Sequence, residues 1–224
     1  LSPKTIKHYH TFISSVMDRA VKWQLIQDNP CKRVDAPKVE AHEIDCLDET
    51  EATQFMRCLQ DEPVETQAIF SLLILTGMRR GELLGLEWPD IDFANCTITI
   101  RRTSQYAAGK GIYTDTTKTE KSKRTITIPA ELAVLLRQYR AWQGERRLRL
   151  SDVWCADWME QPRLFCQWDG KPMHPNTPYQ MLQKFLDRHE MRRVSLHSLR
   201  HTNATLLIGS GADMRTVSSR LGHS

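Results

Sequence analysis

Apolar residues recur every three to four positions over most of the chain, which is the spacing of amphipathic helices. The first stripe runs from Ile6 to Trp23, behind Ser2 as a capping residue and Pro3 as a first-turn proline. Further helical patterns lie at 48–59, 67–75, 79–86, 130–149, 176–186, 199–207 and 213–221. The chain is therefore predicted to be mainly helical.

Two short segments have the period of two that is typical of strands, and both are rich in β-branched residues. They lie at 97–101 and 124–129, and the stretch between them contains Gly109, Gly111 and the basic run 118–124. Both segments are predicted to be strands. The expected fold class is mainly α with a small antiparallel β-sheet, that is, α+β.

The start of the chain divides into a helix and a linker. Asn29 and Pro30 end the first helix, and a polar linker opens at Pro37 and runs to about Asp45. One helix and a tail cannot bury the apolar stripe of that helix. We therefore expect residues 1–40 to be the last part of a helical domain that begins outside this sequence. A larger domain is expected over 46–224.

Composition sets broad limits on the class of protein. A chain of 224 residues with 40% hydrophobic and 26% charged residues is ordinary for a globular protein, and no apolar run approaches the length of a membrane span. The net charge of +4 permits a polyanionic partner without requiring one. The six cysteines show no C-x-x-C pair and no metal-ligand spacing, which favours reduced thiols in an intracellular protein.

Candidate chemistry is concentrated near the end of the chain. His197 and Arg200 are three residues apart at the start of a predicted helix, so their side chains project from one face. The first turn of a helix also offers unpaired N–H groups and a dipole that favours an anion. A second imidazole, His223, follows the last predicted helix. Together these groups suit a phosphate.

Two longer patterns resemble a known family. The residues HSLRHTNATLL at 197–207, followed by LGHS at 221–224, resemble the second sequence box of the tyrosine recombinases, the phage integrase family. The stretch TGMRRGELLGLEWPDID at 76–92 resembles the first box of the same family. The resemblance implies an integrase-like catalytic domain over 46–224. It also implies that 1–40 is the C-terminal part of a helical core-binding domain, which grips DNA.

The resemblance assigns the phosphate-binding residues. It implies that Arg79 and Arg200 hold the non-bridging oxygens of a DNA phosphate, with a bidentate geometry that lysine cannot match. Such preorganised charge opposes the negative charge that builds up in the transition state. Glu82 is expected to hold Arg79 from outside the site. Arg80 and His201 are interpreted as neighbours that do not belong to the site.

The resemblance also implies how protons move. Lys118 is expected to be the general acid that protonates the departing 5′ oxygen, with Lys121 as the alternative because loop registers are poorly fixed by sequence. His197 is implied as proton acceptor or phosphate donor, and His223 as a hydrogen-bond donor to the phosphate. Since the arginines take the place of a cation, neither a metal nor a cofactor is expected.

The nucleophile of the family is a tyrosine about nine residues beyond the position of His223. None of the tyrosines of this sequence lies there; they are residues 9, 106, 113, 139 and 179. We therefore expect that this chain contains no nucleophile and is inactive alone.

The implied function is that of a site-specific DNA recombinase, an integrase that works through a 3′-phosphotyrosine intermediate to integrate or excise a mobile element. The expected partner is double-stranded DNA at an attachment or transposon-end site, bound by a homotetramer in the bacterial cytoplasm, at the nucleoid and away from membranes. The basic residues expected to contact DNA are Lys4, Lys7, Lys32, Arg33, Lys121, Lys123 and Arg124. The alternatives are a DNA-binding protein without catalysis and a type IB topoisomerase-like enzyme.

Overall fold

The computed structural model describes residues 1–39, 45–116 and 123–222. The chain forms two compact units, Leu1–Glu43 and Ile44–Ser224. Within the described ranges, no helix is long and apolar enough to cross a membrane. The interpretation of the first unit as part of a DNA-binding domain stays a prediction.

The first unit consists of one long helix and a short turn. Helix α1 (Pro3–Lys22) begins as predicted, with the Ser2 hydroxyl accepting a hydrogen bond from the backbone N–H of Thr5. A 3₁₀ turn, Pro30–Arg33, is tied to α1 by the Asn29 amide, which donates to the Asp18 carboxylate at 2.9 Å. In the part of the chain that the structure describes, α1 buries none of its residues, and its apolar stripe is exposed.

The helices of the second unit surround a buried central helix. They are α2 (Glu49–Leu59), α3 (Val64–Thr76), α4 (Arg80–Leu84), α5 (Ala130–Leu150), α6 (Thr177–Arg188), α7 (Leu196–Gly209) and α8 (Met214–Leu221). Helix α3 is apolar on all sides because α2, α4, α5, α6 and α7 pack around it. It ends at Gly77, whose left-handed backbone, φ 63°, turns the chain toward α4.

The strands form two separate antiparallel sheets. Strands β1 (Ile91–Asp92), β2 (Thr97–Ile100) and β5 (Arg124–Thr127) form one sheet in the order β1-β2-β5. The two predicted strands are thus confirmed as β2 and β5, and they pair directly. Strands β3 (Arg102–Ala107) and β4 (Gly111–Thr116) form a two-stranded hairpin that the sequence patterns did not predict.

The core of the second unit holds the site elements in place. Phe55, Phe70 and Phe185 form a buried aromatic cluster that joins α2, α3 and α6. Leu199 on α7 belongs to the same core. Helix α7 therefore presents one face to the core, and the first turns of the helix lie at the site. The predicted fold class, mainly α with a small antiparallel sheet, is confirmed.

Candidate active site

The site begins at the turn between α3 and α4, where Arg79 is the N-terminal capping residue of α4. Its backbone N–H donates to Glu82 Oε2 at 2.8 Å, and its Nη1 donates to Glu82 Oε1 at 2.9 Å. The Glu82 carboxylate therefore accepts the backbone N–H at the start of the helix and orients the Arg79 side chain at the same time. About half of the Arg79 side chain, 49%, stays exposed. Its Nη2 donates to the Gly222 carbonyl at 3.3 Å.

A second arginine shares the Glu82 carboxylate. Arg124 donates from Nη1 and Nη2 to the two carboxylate oxygens at 3.0 and 2.7 Å, and from Nε to the Arg220 carbonyl at 2.9 Å. Burial alone raises the pKa of Glu82, but the hydrogen bonds and charge of Arg124, with those of Arg79, hold it below its usual value. The cluster is therefore ionic at neutral pH.

These bonds engage the residue that the sequence analysis expects to contact DNA, and that DNA contact of Arg124 stays a prediction. Its side chain is 10% exposed, and all three of its guanidinium nitrogens donate to protein acceptors. A side chain used in this way orients Glu82, and through it Arg79, instead of presenting a free charge to solvent.

Arg200 lies on α7 and is almost fully buried, at 3% exposure. Its Nη1 donates to the Gly77 carbonyl at 2.6 Å and its Nη2 to the Leu221 carbonyl at 2.7 Å. Burial and the positive charge of Arg79 lower the pKa of Arg200 to about 10. The group is still protonated at neutral pH, so the two arginines place two positive charges side by side.

His197 and Arg200 come together with Arg79 in one cleft of about 400 Å³. The cleft is lined by Met78, Arg79, Arg80, Gly81, Tyr179, Ser195, Leu196, His197 and Arg200. His197 is exposed, and its ring stands nearly perpendicular to that of His201 at 4.5 Å between centroids. The Ser195 hydroxyl caps the start of α7 by accepting from the Ser198 N–H at 3.0 Å. Three of the predicted site residues therefore share one opening beside a capped helix start.

The structure does not describe three of the other predicted site residues. Lys118, Lys121 and His223 lie outside the described residues, so their assignments stay predictions. Lys123 is exposed.

The remaining predicted DNA contacts belong to the first unit. Lys4 and Lys7 are exposed on α1, and Lys32 pairs with Asp18 at 3.0 Å. Arg33 pairs with Asp28 at 2.5 Å. Their proposed contacts with DNA likewise stay predictions.

Two residues of the cleft were missed by the sequence patterns. Arg80 was set aside as a neighbour of Arg79, although its position in the same turn was a usable signal. Tyr179 lies outside both boxes and has no local signal, since it enters the cleft through the packing of α6 against α7. His201, one turn further along α7, contacts the ring of His197.

Comparison with known protein sequences places the chain in one family. The model of the phage integrase family matches residues 45–224. A tyrosine recombinase XerC-like protein of Caldanaerobacter subterraneus subsp. tengcongensis is 32% identical over 238 residues, which span 100% of this chain and 60% of that protein. The ICEBs1 integrase of Bacillus subtilis is 26% identical over 223 residues, spanning 100% of this chain and 59% of that integrase. The chain thus spans about 60% of the length of these curated relatives.

Solved structures show the same fold. The Tn1549 transposon integrase in complex with a circular intermediate DNA matches with a TM-score of 0.81 at 23% identity, covering 100% of this chain and 72% of that one. XerA recombinase matches with a TM-score of 0.62 at 24% identity, covering 100% of this chain and 75% of that one. The match of the family model over residues 45–224 shows that the chain belongs to the phage integrase family, the tyrosine recombinases.

Proposed function

We propose that this protein is a site-specific DNA recombinase of the integrase type, which cuts and rejoins DNA through a 3′-phosphotyrosine intermediate. The observation that carries the proposal is the convergence of Arg79, His197 and Arg200 on one cleft, from sequence segments more than a hundred residues apart. A cleft with two guanidiniums and an imidazole has the charge and donors that an oxyanion of phosphorus requires.

The two arginines are suited to the transition state of phosphoryl transfer. Negative charge on the non-bridging oxygens must be opposed by donors that are already oriented, because reorientation during the reaction costs free energy. Arg200 is oriented by the Gly77 and Leu221 carbonyls, and Arg79 by Glu82. A guanidinium has five N–H donors, so each arginine keeps donors for a phosphate after these bonds are made.

Proton transfer completes the proposed mechanism. His197 accepts the proton of the nucleophile or donates to the phosphate, and His223 adds a hydrogen bond. Lys118, with Lys121 as the alternative, protonates the departing 5′ oxygen. None of the tyrosines of the chain has the family position after the second box, so the attacking tyrosine is not assigned to any of them.

The proposed substrate is double-stranded DNA at the end or attachment site of a mobile element, and the proposed active form is a homotetramer. The solved Tn1549 integrase structures that share this fold are complexes with circular intermediate DNA and transposon right end DNA. The net charge of +4 is compatible with such a partner. A bacterial cytoplasmic location at the nucleoid follows from this substrate.

Two other functions would use the same surface. A DNA-binding protein without catalysis gives no reason for orienting two arginines and a histidine toward one cleft. A type IB topoisomerase-like enzyme would share the cleavage chemistry, but it would relax supercoiled DNA without exchanging strands. Recombination between two sites on one plasmid, scored by product size, separates these outcomes.

The covalent intermediate is the direct test. The complete gene product is incubated with a nicked duplex that carries the attachment site and traps cleavage, and the products are separated by denaturing electrophoresis. We expect a protein–DNA adduct from the complete product and none from its Arg79→Ala variant. We also expect none from the 224-residue chain, which should still bind the duplex. Binding by the complete product without any adduct would reject the proposal.

An adduct formed by the 224-residue chain would reject the position assigned to the nucleophile. Peptide mapping of that adduct would then identify the tyrosine that acts.

A further inference from the structure

We propose that Arg80 and Tyr179 bind the DNA phosphate next to the scissile one, as a second pair of phosphate ligands in the same cleft. The inference rests on the proposed function, since it extends the phosphate site formed by Arg79 and Arg200. Both residues line that cleft, from the start of α4 and the start of α6. Neither has a role in the mechanism described so far.

Arg80 is a cation of the cleft to which the described residues offer no partner. Arg79 is bound by Glu82, and Arg200 by two backbone carbonyls. Within 1–39, 45–116 and 123–222, by contrast, no hydrogen bond, ion pair or ring contact engages the Arg80 side chain. It is exposed at the rim, so all five of its N–H donors are available to a ligand.

The position of Arg80 makes it a contact for a different phosphate from the one held by Arg79. Side chains of consecutive residues diverge and do not face each other, either in a helix or in extended backbone. Arg79 is directed to Glu82, and Arg80, the next residue along the chain, lines the same cleft. Two guanidiniums arranged in this way match two successive phosphates of one strand better than a single phosphate.

Tyr179 supplies a neutral donor in the same cleft. It is the third residue of α6, and 41% of its surface is exposed. Its hydroxyl makes no hydrogen bond to any residue in the described part of the chain. Tyrosine hydroxyls are among the common donors to DNA phosphates.

The consequence is that the strand is held at two successive phosphates, one of which is the scissile phosphate. One pair of ligands stabilises the scissile phosphate, and the second pair fixes its neighbour. A displacement of about 1 Å at a reacting centre can cost about a hundredfold in rate. Arg80 and Tyr179 therefore act as positioning residues, which affect cleavage through the placement of the strand.

The test is a double-mutant cycle between protein and DNA. Duplexes carry one uncharged methylphosphonate, at the phosphate on either side of the scissile position or at a distant control position. The complete gene product is compared with Arg80→Ala and Tyr179→Phe. The matched controls are Arg149→Ala and Tyr106→Phe, two exposed residues outside the cleft. Melting curves establish that each variant is folded.

On unmodified DNA, Arg80→Ala should weaken binding about tenfold and reduce the slope of log affinity against log salt by about one. At one flanking position, the methylphosphonate should weaken wild-type binding but cause no further loss in Arg80→Ala. Tyr179→Phe should slow cleavage about tenfold, weaken binding less, and show the same non-additivity. Both controls should show additive losses at every position.

Additive losses for Arg80→Ala at both flanking phosphates would overturn the inference while leaving the proposed function intact, provided that wild-type protein forms the covalent adduct. A Tyr179→Phe variant that binds normally but forms no adduct would also overturn it, because Tyr179 would then be the nucleophile. If wild-type protein neither binds nor cleaves DNA, the proposed function fails, and this inference fails with it.

Discussion

At the scale of single residues, the protein holds the two arginines of the cleft in different ways. Arg200 is 3% exposed and joins α7 to the Gly77 turn and to the end of α8. The Arg79 side chain is 49% exposed and is held from one side by Glu82. A buried guanidinium with fixed partners is the better preorganised of the two, and we expect it to dominate the transition state.

Arg200→Ala in the complete gene product should therefore slow cleavage by about a hundredfold or more. DNA affinity should fall only modestly, because many other phosphate contacts contribute to the free energy of binding. Single-turnover cleavage and gel-shift titration measure the two effects.

Arg200→Lys is the matched variant, since it keeps the charge but lacks the planar fork that donates to the Gly77 and Leu221 carbonyls from two nitrogens. It should bind DNA normally and cleave slowly. A loss of affinity as large as the loss of cleavage in either variant would contradict the role assigned to Arg200.

The Glu82 carboxylate predicts how the site responds to pH. The pKa of Glu82 lies below its usual value of 4.5 in the folded protein, so the folded state binds the proton less readily than the unfolded state. Its stabilising contribution is therefore complete above about pH 4.5 and is lost as the pH falls through the folded-state pKa. Glu82→Gln should lower the free energy of unfolding by about 3 kcal/mol at neutral pH, because two arginines lose a buried partner.

Urea denaturation of wild type and Glu82→Gln between about pH 7 and about pH 3 measures this effect. The difference between the two proteins should shrink toward the acidic end. A difference that stayed constant over that range would show that the carboxylate charge does not stabilise the fold.

The contrast between these residues shows what the sequence reveals of the site. The shared face of His197 and Arg200 follows from their spacing in a helical pattern, and Arg79 precedes Glu82 by three residues in a recognisable box. The role of Arg124 could not be predicted in this way. A basic residue at the end of a basic run looks exposed in the sequence, and its partner Glu82 is 42 positions away.

At the scale of elements, helix α4, whose N-terminal capping residue is Arg79, packs closely against strand β3. A Cβ at Gly85 would lie 2.9 to 3.1 Å from backbone atoms of Arg102 and Thr103. The Gly85 backbone is helical, with φ −88°, so the requirement for glycine is steric and not conformational. Arg102 strengthens the contact by donating from Nε to the Gly85 carbonyl at 3.2 Å.

Gly85→Ala should consequently destabilise the protein by about 1 to 3 kcal/mol, since backbone atoms must move to admit the methyl group. Gly144→Ala is the matched control, because Gly144 lies inside α5 and nothing is within 4 Å of its missing Cβ. The control should be neutral or stabilising by about 0.5 to 1 kcal/mol. Equal unfolding free energies for the two variants would show that the α4–β3 contact accommodates an additional methyl group at position 85.

The same hairpin marks the limit of sequence patterns at this scale. Strands β2 and β5 were predictable because each places apolar residues on one buried face, such as Ile98 opposite Ile126. Strands β3 and β4 pair over their full length, but most of their side chains are polar and partly exposed. Without a buried face there is no period-two signal, and the Gly109 to Gly111 turn was the remaining indication.

At the scale of the whole molecule, the cleft depends on contacts between distant parts of the second unit. Arg200 bonds to Gly77 across 123 positions, and Arg124 bonds to Arg220 across 96. The family boxes could be recognised from sequence, whereas these long-range bonds depend on the three-dimensional packing. The positive charge of the site thus comes from protein side chains, the guanidiniums of Arg79 and Arg200, which the fold brings together.

This origin of the charge leads to a prediction about metal ions. In many phosphoryl-transfer enzymes, a divalent cation neutralises the developing charge on the phosphate. Here Arg79 and Arg200 both line one cleft, and Arg200, with a pKa of about 10, carries its positive charge at neutral pH. The two guanidiniums take the place of the divalent cation. The complete gene product should therefore cleave and rejoin its site at an unchanged rate in excess chelator. Arg79→Ala should lose activity with or without magnesium. Cleavage that disappears on chelation and returns with magnesium would place the chemistry in a metal-dependent class. It would also reject the proposal that Arg79 and Arg200 alone neutralise the phosphate.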